Sequence, residues 1–303
     1  MQKGSILHHV LQQYFDPKPH SPSKDIKVNG ACPGNPLSKE IGCQDKKKDP
    51  KETLEAFVRR EMEEGLKRHP MLWTGPYEEA LDRRDLFEML VDFINYEAER
   101  LENAPFKPYH VEYSFGDLGE NDHPALEIDG DKKKIKLRGR VDRIDTDAGK
   151  KFAVVIDYKR SARFKAANLE LGTALQLPLY LLAAQKHLGL TPLGAEIYSI
   201  RDHKRSGFYD EGSARLFEKE FSSRSQLPDE IFQKTLDRAV AFVRKFTKEI
   251  ELAEISARPR ECESFCPYDT VCRIEKWKLP IILEKIRQED EKEGLTEKQE
   301  LEG

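Results

Sequence analysis

The segment GRVDRIDTDAGKKFAVVIDYKR, residues 139–160, decides the fold of this chain. It contains two strand-like runs separated by turn residues at 147–149. The run AVVI is apolar at consecutive positions, which is typical of a central strand buried on both faces. Because alternate side chains of a strand share a face, Asp157 and Lys159 are predicted to lie on one side, about 6–7 Å apart. A tight turn between the runs would bring Asp142 alongside them.

These side chains suit phosphoryl chemistry. Two carboxylates bind Mg²⁺ or Mn²⁺ through oxygen and leave coordination positions for water and phosphate. The metal lowers the pKa of a bound water, and a lysine beside it orients the attack and stabilises the transition state. The D-x-K spacing alone is weak evidence, since it recurs at seven other aspartates of the chain. A solvated surface ion pair is therefore the alternative for this pair taken alone.

Hydrophobic periodicity predicts helices before and after this segment. Residues 4–15 form an amphipathic helix with His8 at the edge of its apolar face and His9 on the opposite side. The predicted elements are then a polar, Pro- and Gly-rich insertion at 16–50, helices within 51–105, a helix at about 173–188 and a long helix at about 229–255. The tail after Leu279 is predicted to begin as a helix.

Strand patterns fill the middle of the chain. YHVEYSF, ALEID, KIKLRGRVDRID and KFAVVIDYK follow one another between short turns and predict a four-stranded meander. GAEIYSI predicts a further strand after the helix at 173–188. Helices mixed with strands in this order predict an α/β fold with a mixed central β-sheet flanked by helices.

Composition excludes several classes of protein. The chain has 303 residues, five cysteines and a net charge of −4, so it is not a globally basic nucleic-acid coat, although a local basic site remains open. No apolar run is long enough to span a membrane, and residues 1–15 lack a signal-peptide layout. An odd number of cysteines without an export signal indicates a reducing compartment, and we expect a cytoplasmic, bacterial protein.

Four short motifs occur in order: GSILH at 4–8, GRVDRID at 139–145, IDYK at 156–159 and QLPLY at 176–180. Together they resemble the RecB-like exonuclease branch of the PD-(D/E)XK nuclease superfamily, and the resemblance extends from Gly4 to Cys272. It implies a restriction-endonuclease-like core and one nuclease domain over 1–303. Within that domain it implies a helical insertion at 51–105, a catalytic core at 106–255, a Cys-rich segment at 256–280 and a charged tail at 281–303.

The resemblance also implies roles for individual residues. Metal ligands would be His8, Asp142, Asp157 and the main-chain carbonyl of Tyr158, and Lys159 would assist the nucleophile. Gln176 and Tyr180 would organise the site and the DNA. Local physics agrees, because residues i and i+4 share a helix face and Pro178 is tolerated in a first turn. Ordinary helix packing is the alternative for Gln176 and Tyr180, and a partly buried helix histidine is the alternative for His8.

Three cysteines cluster late in the chain as C-x₃-C-x₅-C: Cys262, Cys266 and Cys272. This spacing suggests soft-metal ligation. A subgroup of the same nuclease family, including AddB-type nucleases, holds a 4Fe–4S cluster with three late cysteines and one early cysteine. The usual late pattern is one residue shorter, and no cysteine precedes Gly4 here. Either the chain is a piece of a longer protein, or Cys32 or Cys43 supplies the fourth ligand; free thiols or a zinc site are the alternatives.

Basic residues near the predicted site suggest a path for DNA. Arg160 and Arg163 follow Lys159 directly and are the predicted phosphate contacts. A second group lies on the strands that lead to Asp142: Lys132, Lys133, Lys134, Arg138, Arg140 and Arg143. For the three lysines, a charged solvent face is the favoured interpretation.

The leading hypothesis is a metal-dependent DNA nuclease acting in recombination or repair, on DNA that is single-stranded or has free ends. By the same resemblance it would be a domain of a helicase–nuclease subunit, with a helicase subunit as partner. One rival is a non-catalytic nuclease-like scaffold that binds DNA or a helicase. Another is an interaction module in which the Cys loop is the functional part.

Overall fold

A computed structural model describes residues 2–17, 52–116, 123–217, 220–254, 266, 271–272 and 274–288. Most of the predicted 16–50 insertion, with Cys32 and Cys43, lies outside these residues, as do Cys262 and the end of the charged tail. The chain divides into two compact units, residues 1–244 and 245–303.

The first unit is built on a six-stranded mixed sheet in the order β1-β4-β5-β6-β7-β8, with a separate two-stranded ribbon, β2-β3. The strands are β1 Phe106–Phe115, β2 Leu126–Asp129, β3 Lys134–Leu137, β4 Gly139–Asp147, β5 Phe152–Lys159, β6 Thr191–Ser199, β7 Lys204–Asp210 and β8 Gln226–Leu227. The pairs β5–β6 and β7–β8 are parallel and the other neighbours in the sheet are antiparallel. The predicted α/β fold with a mixed sheet is confirmed.

The predicted four-stranded meander is wrong in its connections. The run KIKLRGRVDRID is divided at Arg138, so that β3 pairs with β2 while β4 pairs with β1. Periodicity locates strands but does not identify their partners, and here the ribbon β2-β3 is inserted between two neighbours of the main sheet. The strands β7 and β8 are additions to the predicted set.

Seven α-helices have both ends within the described residues: α1 Gln2–Phe15, α2 Leu54–Arg68, α3 Pro76–Asn103, α4 Ala166–Glu170, α5 Gln176–Leu188, α6 Glu211–Ala214 and α7 Asp229–Glu251. Local signals set their ends. The Thr53 hydroxyl caps α2 by accepting a hydrogen bond from the Ala56 amide, and Gly189 ends α5 at a φ of +67°. Pro178 lies in the first turn of α5, as expected.

Two hydrophobic clusters cover opposite faces of the sheet. One contains α1, α2, α3 and the side chains of Val154, Ile156 and Tyr158; the other contains α5 with Ala153 and Val155. Strand β5 therefore contributes alternate side chains to both cores, and its predicted burial on both faces is confirmed. Helix α1 is held by the first cluster, and this fixes the position of its histidines.

The predicted exposure of the two histidines of α1 is wrong for His9. The His9 side chain is only 7% exposed, and its Nε2 lies 3.1 Å from Glu61 Oε2 on α2. The helix wheel of α1 considers one buried face, whereas α2 packs against a second face of the same helix. His8 is partly exposed and lines the cavity described below.

In the second unit, a 3₁₀ turn at Lys276–Lys278 leads into helical residues 279–288. The helix predicted after Leu279 is confirmed over these residues. None of the helices in the described part of the chain is both long enough and apolar enough to span a bilayer.

Candidate metal centre

Strands β4 and β5 place the two predicted aspartates side by side. The strands are antiparallel, with Arg143 opposite Ile156. Asp142 Oδ2 accepts a hydrogen bond of 2.7 Å from the main-chain amide of Tyr158, one residue after Asp157. Both aspartate side chains are buried, on the neighbouring strands β4 and β5. The predicted approach of Asp142 to the end of β5 is thus observed.

His8 reaches this point from α1. Its Nδ1 lies 3.2 Å from Asp142 Oδ1, and its Nε2 lies 3.3 Å from the main-chain carbonyl oxygen of Tyr158. Burial alone would lower the pKa of His8, but the carboxylates of Asp142 and Glu112 outweigh burial and raise that pKa to about 10. The imidazole is therefore surrounded by acceptors, which is a suitable environment for a cation.

Glu112 of β1 is a further member of the site that the sequence analysis missed. Its Oε1 lies 3.5 Å from His8 Nδ1, and its Oε2 lies 2.9 Å from Nε of Arg140. The alternation of YHVEYSF places Glu112 on the face opposite Tyr113, but only the pairing of β1 with β4 puts that face beside Asp142. Glu112 also has a positive φ of 49°, which is uncommon for a residue with a side chain.

Asp157 and Lys159 form the other half of the site. Lys159 Nζ lies 2.5 Å from Asp157 Oδ2, whereas Asp157 Oδ1 is buried and has no hydrogen-bond partner among the described residues. Burial and the nearby charge of Asp142 raise the pKa of Asp157 above its ordinary value, against the opposing effect of Lys159. A buried carboxylate oxygen without a partner is costly, and a bound cation would satisfy it.

A cavity of about 720 Å³ opens beside these groups. Its lining includes His8, Glu112, Asp142, Lys159 and Tyr180.

The two residues of α5 behave differently towards this cavity. Tyr180 lines it, while Gln176 is exposed and donates a hydrogen bond of 3.0 Å from Nε2 to the Tyr180 hydroxyl. The i, i+4 relation predicted for this pair therefore corresponds to a direct contact.

The two arginines predicted to contact DNA already have carboxylate partners. Arg160 lines the cavity and forms an ion pair with Asp85 of α3. Arg163 Nη2 lies 2.9 Å from Asp202 Oδ2. Contact of either guanidinium with a phosphate would compete with these pairs.

Arg143, grouped above with the basic residues, is fully buried rather than available to a ligand. It forms a fork with both carboxylate oxygens of Asp145, and its Nη1 lies 2.7 Å from Glu97 Oε1 and 3.0 Å from the Tyr158 hydroxyl. The sequence around Arg143 does not by itself predict that this side chain is buried. The Arg143 guanidinium thereby connects Glu97 of α3 to Tyr158, whose main-chain carbonyl oxygen lies beside His8.

The residues of the site fit a divalent cation. One ligand atom from each of His8, Glu112 and Asp142 lies within 4.8 Å of the others. The unpartnered Oδ1 of Asp157 adds a buried oxygen near Asp142. One imidazole with several carboxylate oxygens is a donor set compatible with Mg²⁺ or Mn²⁺.

Of the late cysteines, the structure describes two. Cys266 is partly buried and Cys272 is exposed, and neither forms a disulfide with a described residue. The predicted cluster ligand Cys262 lies outside the described residues.

Comparison with known proteins gives a consistent result. The family model described as the PD-(D/E)XK nuclease superfamily matches residues 1–273. A protein from Moorella thermoacetica, named as an ATP-dependent helicase/deoxyribonuclease subunit, is 36% identical over 168 residues, covering 51% of this chain and 14% of that relative. The protein of the same name from Carboxydothermus hydrogenoformans is 32% identical over 154 residues, with 46% and 14% covered. The match thus takes in only about a seventh of each relative's length.

Proposed function

The chain belongs to the PD-(D/E)XK nuclease superfamily, and we propose that it hydrolyses DNA phosphodiester bonds at the site formed by His8, Asp142, Asp157 and Lys159. One observation carries the proposal. A histidine, a glutamate and an aspartate from three separate elements converge beside an open cavity, next to the buried Asp157 and its partly exposed partner Lys159. Such a donor set beside an ammonium group is the arrangement that metal-assisted phosphate hydrolysis needs.

Some residues of the site would bind the metal ion, and others would orient the water and the substrate. His8, Asp142, Asp157 and the main-chain carbonyl of Tyr158 would hold a divalent ion, with Glu112 completing the acidic surround. Such an ion supplies positive charge beside the scissile phosphate and makes water a better nucleophile. The Lys159 ammonium, held by Asp157, orients the attacking water and offsets the negative charge that develops on phosphorus-bound oxygens. Tyr180, held by Gln176, would position the substrate in the cavity.

We further propose that the ion is Mg²⁺ or Mn²⁺. Carboxylate and carbonyl oxygens suit both ions, and the imidazole of His8 makes Mn²⁺ the better match of the two. The expected substrate is DNA that is single-stranded or has free ends, because Asp142 is buried and a strand must enter the cavity to reach it.

The relatives named as helicase/deoxyribonuclease subunits support a role in a helicase–nuclease with a helicase subunit as partner. We place that role in DNA recombination or repair in the bacterial cytoplasm. The Cys-rich segment is proposed to hold a 4Fe–4S cluster through Cys262, Cys266 and Cys272, with a fourth ligand still to be found. Absorption spectra of protein purified without oxygen would test this proposal.

The nuclease proposal is tested with end-labelled single- and double-stranded DNA in the presence of Mg²⁺, Mn²⁺ or EDTA. Wild-type protein should cut with a metal and not with EDTA, and Asp157→Ala and Lys159→Ala should each abolish cutting. Glu99 is an exposed glutamate of α3 outside the proposed site, so Glu99→Gln serves as the control and should cut like wild type. Cutting that survives both site substitutions would refute the proposal.

A further inference from the structure

A row of cations leads along one face of the chain to the metal centre. Lys134, Lys136, Arg138 and Arg140 are all exposed, whereas Ile135, Leu137 and Gly139 between them are partly buried. The alternation continues without a break from β3 through Arg138 into β4. Asp142 is the next residue in this register, because side chains two positions apart on an extended chain share a face.

We propose that these four side chains, here called the cation row, bind the phosphate backbone of a single DNA strand and direct it to Asp142. This inference rests on the proposed function, since it identifies the surface by which the substrate would enter that site. It assigns substrate binding to the ribbon β2-β3 and the start of β4 rather than to the segment after Lys159.

The charge state of the row supports this role. Lys134 pairs with Glu127 at 2.8 Å, with both side chains solvent-exposed, and Arg140 pairs with Glu112 at 2.9 Å. Lys136 and Arg138 have no acidic partner within ion-pair distance among the residues that the structure describes. The middle of the row is therefore free to neutralise phosphates, and an exposed pair such as Lys134–Glu127 is weak enough to exchange for one.

The dimensions of the row match a nucleic-acid strand. Six residue steps of about 3.3 Å separate Lys134 from Arg140, so the row measures about 20 Å along the chain. At a rise of about 3.4 Å per nucleotide, that length corresponds to about six nucleotides of a B-form strand. Binding sites that follow a single strand with a positively charged groove are typically of this size.

Arg140 connects the row to the chemistry. Its Nε contacts Glu112 Oε2, while the other oxygen of Glu112 faces His8. A strand lying on the row would pass Arg140 immediately before reaching the carboxylates. Arg160 and Arg163, after Lys159, each have an acidic partner, Asp85 or Asp202, so neither offers the charge without an acidic partner that Lys136 and Arg138 provide among the described residues.

The test is binding without cleavage. A fluorescent oligothymidylate of about 12 nucleotides is titrated with the full chain in EDTA at several salt concentrations, and anisotropy gives the dissociation constant. The double variant Lys136→Gln/Arg138→Gln should reduce the slope of log K against log salt by about 1.4, from two lost phosphate contacts. With equal affinities at 1 M salt, this difference in slope corresponds to about 25-fold weaker binding of the variant at about 0.1 M salt.

A charge-matched control removes two exposed cations elsewhere. Arg224 directly precedes β8, the edge strand of the sheet opposite β1, and Lys234 lies in the second turn of α7, the helix that follows β8. Arg224→Gln/Lys234→Gln should bind like wild type. An unchanged slope in the Lys136/Arg138 variant, an equal loss in the control, or absence of binding by wild type would each overturn the cation row. Metal-dependent cutting by wild type, measured separately, would leave the proposed nuclease intact in all three cases.

Discussion

Replacing Glu97 by glutamine should destabilise the protein strongly, although the Glu97 side chain forms no hydrogen bond with a proposed metal-binding side chain. Glu97 is fully buried on α3, and its carboxylate accepts hydrogen bonds from Arg143, Arg100 and the Tyr198 hydroxyl at 2.7–2.8 Å. Glutamine keeps the shape but places an amide donor among donors. It also leaves the buried Arg143 with one carboxylate fewer.

The size of the effect follows from the pKa. Burial would raise the pKa of Glu97, but Arg143 and Arg100 outweigh burial and lower it to about 2. Against about 4.3 in the unfolded chain, that difference of about 2.3 pH units corresponds to about 3 kcal/mol of folding free energy at pH 7. Removing one member of a buried ion pair typically costs about 3–5 kcal/mol, which agrees with this value.

The sign of the pH dependence also follows. Because the folded-state pKa is the lower one, the stabilisation is complete above about pH 4.3 and is lost as the pH falls towards about 2. Urea unfolding should therefore give Glu97→Gln a free energy of unfolding about 3 kcal/mol below wild type at every pH from about 5 to 7. Below about pH 4 the gap should narrow by up to about 1.4 kcal/mol per pH unit.

Glu99→Gln, an exposed change on the same helix, is the matched control and should unfold like wild type. Two results would refute this prediction: a Glu97→Gln variant as stable as Glu99→Gln at pH 7, or a difference in their free energies of unfolding that grows as the pH falls. Either result would mean that the network around Arg143 does not stabilise the charged form of Glu97.

Two further predictions concern the backbone and the metal. Gly207→Ala should lower the free energy of unfolding by about 3 kcal/mol, because an added Cβ would lie 2.0 Å from the Ala195 carbonyl oxygen on β6. Gly75→Ala has open space around its Cβ and changes only the N-cap residue of α3, so it should cost no more than about 1 kcal/mol. Thermal melts of the two variants measure both losses, and a loss in Gly207→Ala no larger than that in Gly75→Ala would contradict the packing argument. Mn²⁺ at about 100 times its dissociation constant should stabilise wild type by about 2.7 kcal/mol. Asp142→Asn should lose that stabilisation in calorimetry; an unchanged stabilisation would remove Asp142 from the metal site.

The sequence allowed the two aspartates to be placed because local rules are sufficient there. An apolar run, a short turn and alternation along β5 determine where Asp142, Asp157 and Lys159 lie. His8 is also a predicted member of the site, and the structure places it against Asp142. That prediction rests on the resemblance of four ordered motifs to the nuclease family. One histidine on a helix would not by itself support it.

Other parts of the site depend on contacts between distant segments. Glu112 joins the site only because β1 pairs with β4. The ribbon β2-β3 lies between these two strands in the sequence, and periodicity alone assigns all of them to one meander. The burial of Arg143 needs Glu97 from α3, and the burial of His9 needs Glu61 from α2. In each case a titratable side chain is buried because a partner far away in sequence offsets its loss of hydration.

The central claim is that Asp157 binds the metal ion while Lys159 acts on the nucleophile, and one paired measurement tests it directly. Mn²⁺ affinity by calorimetry and the DNA cleavage rate are determined on the same preparations of wild type, Asp157→Asn and Lys159→Met. Asp157→Asn should lose both the Mn²⁺ affinity and the DNA cleavage. Lys159→Met should keep an Mn²⁺ affinity at or above that of wild type and lose at least about 100-fold in rate. Wild-type cleavage by both variants, or loss of Mn²⁺ binding in Lys159→Met alone, would contradict the account.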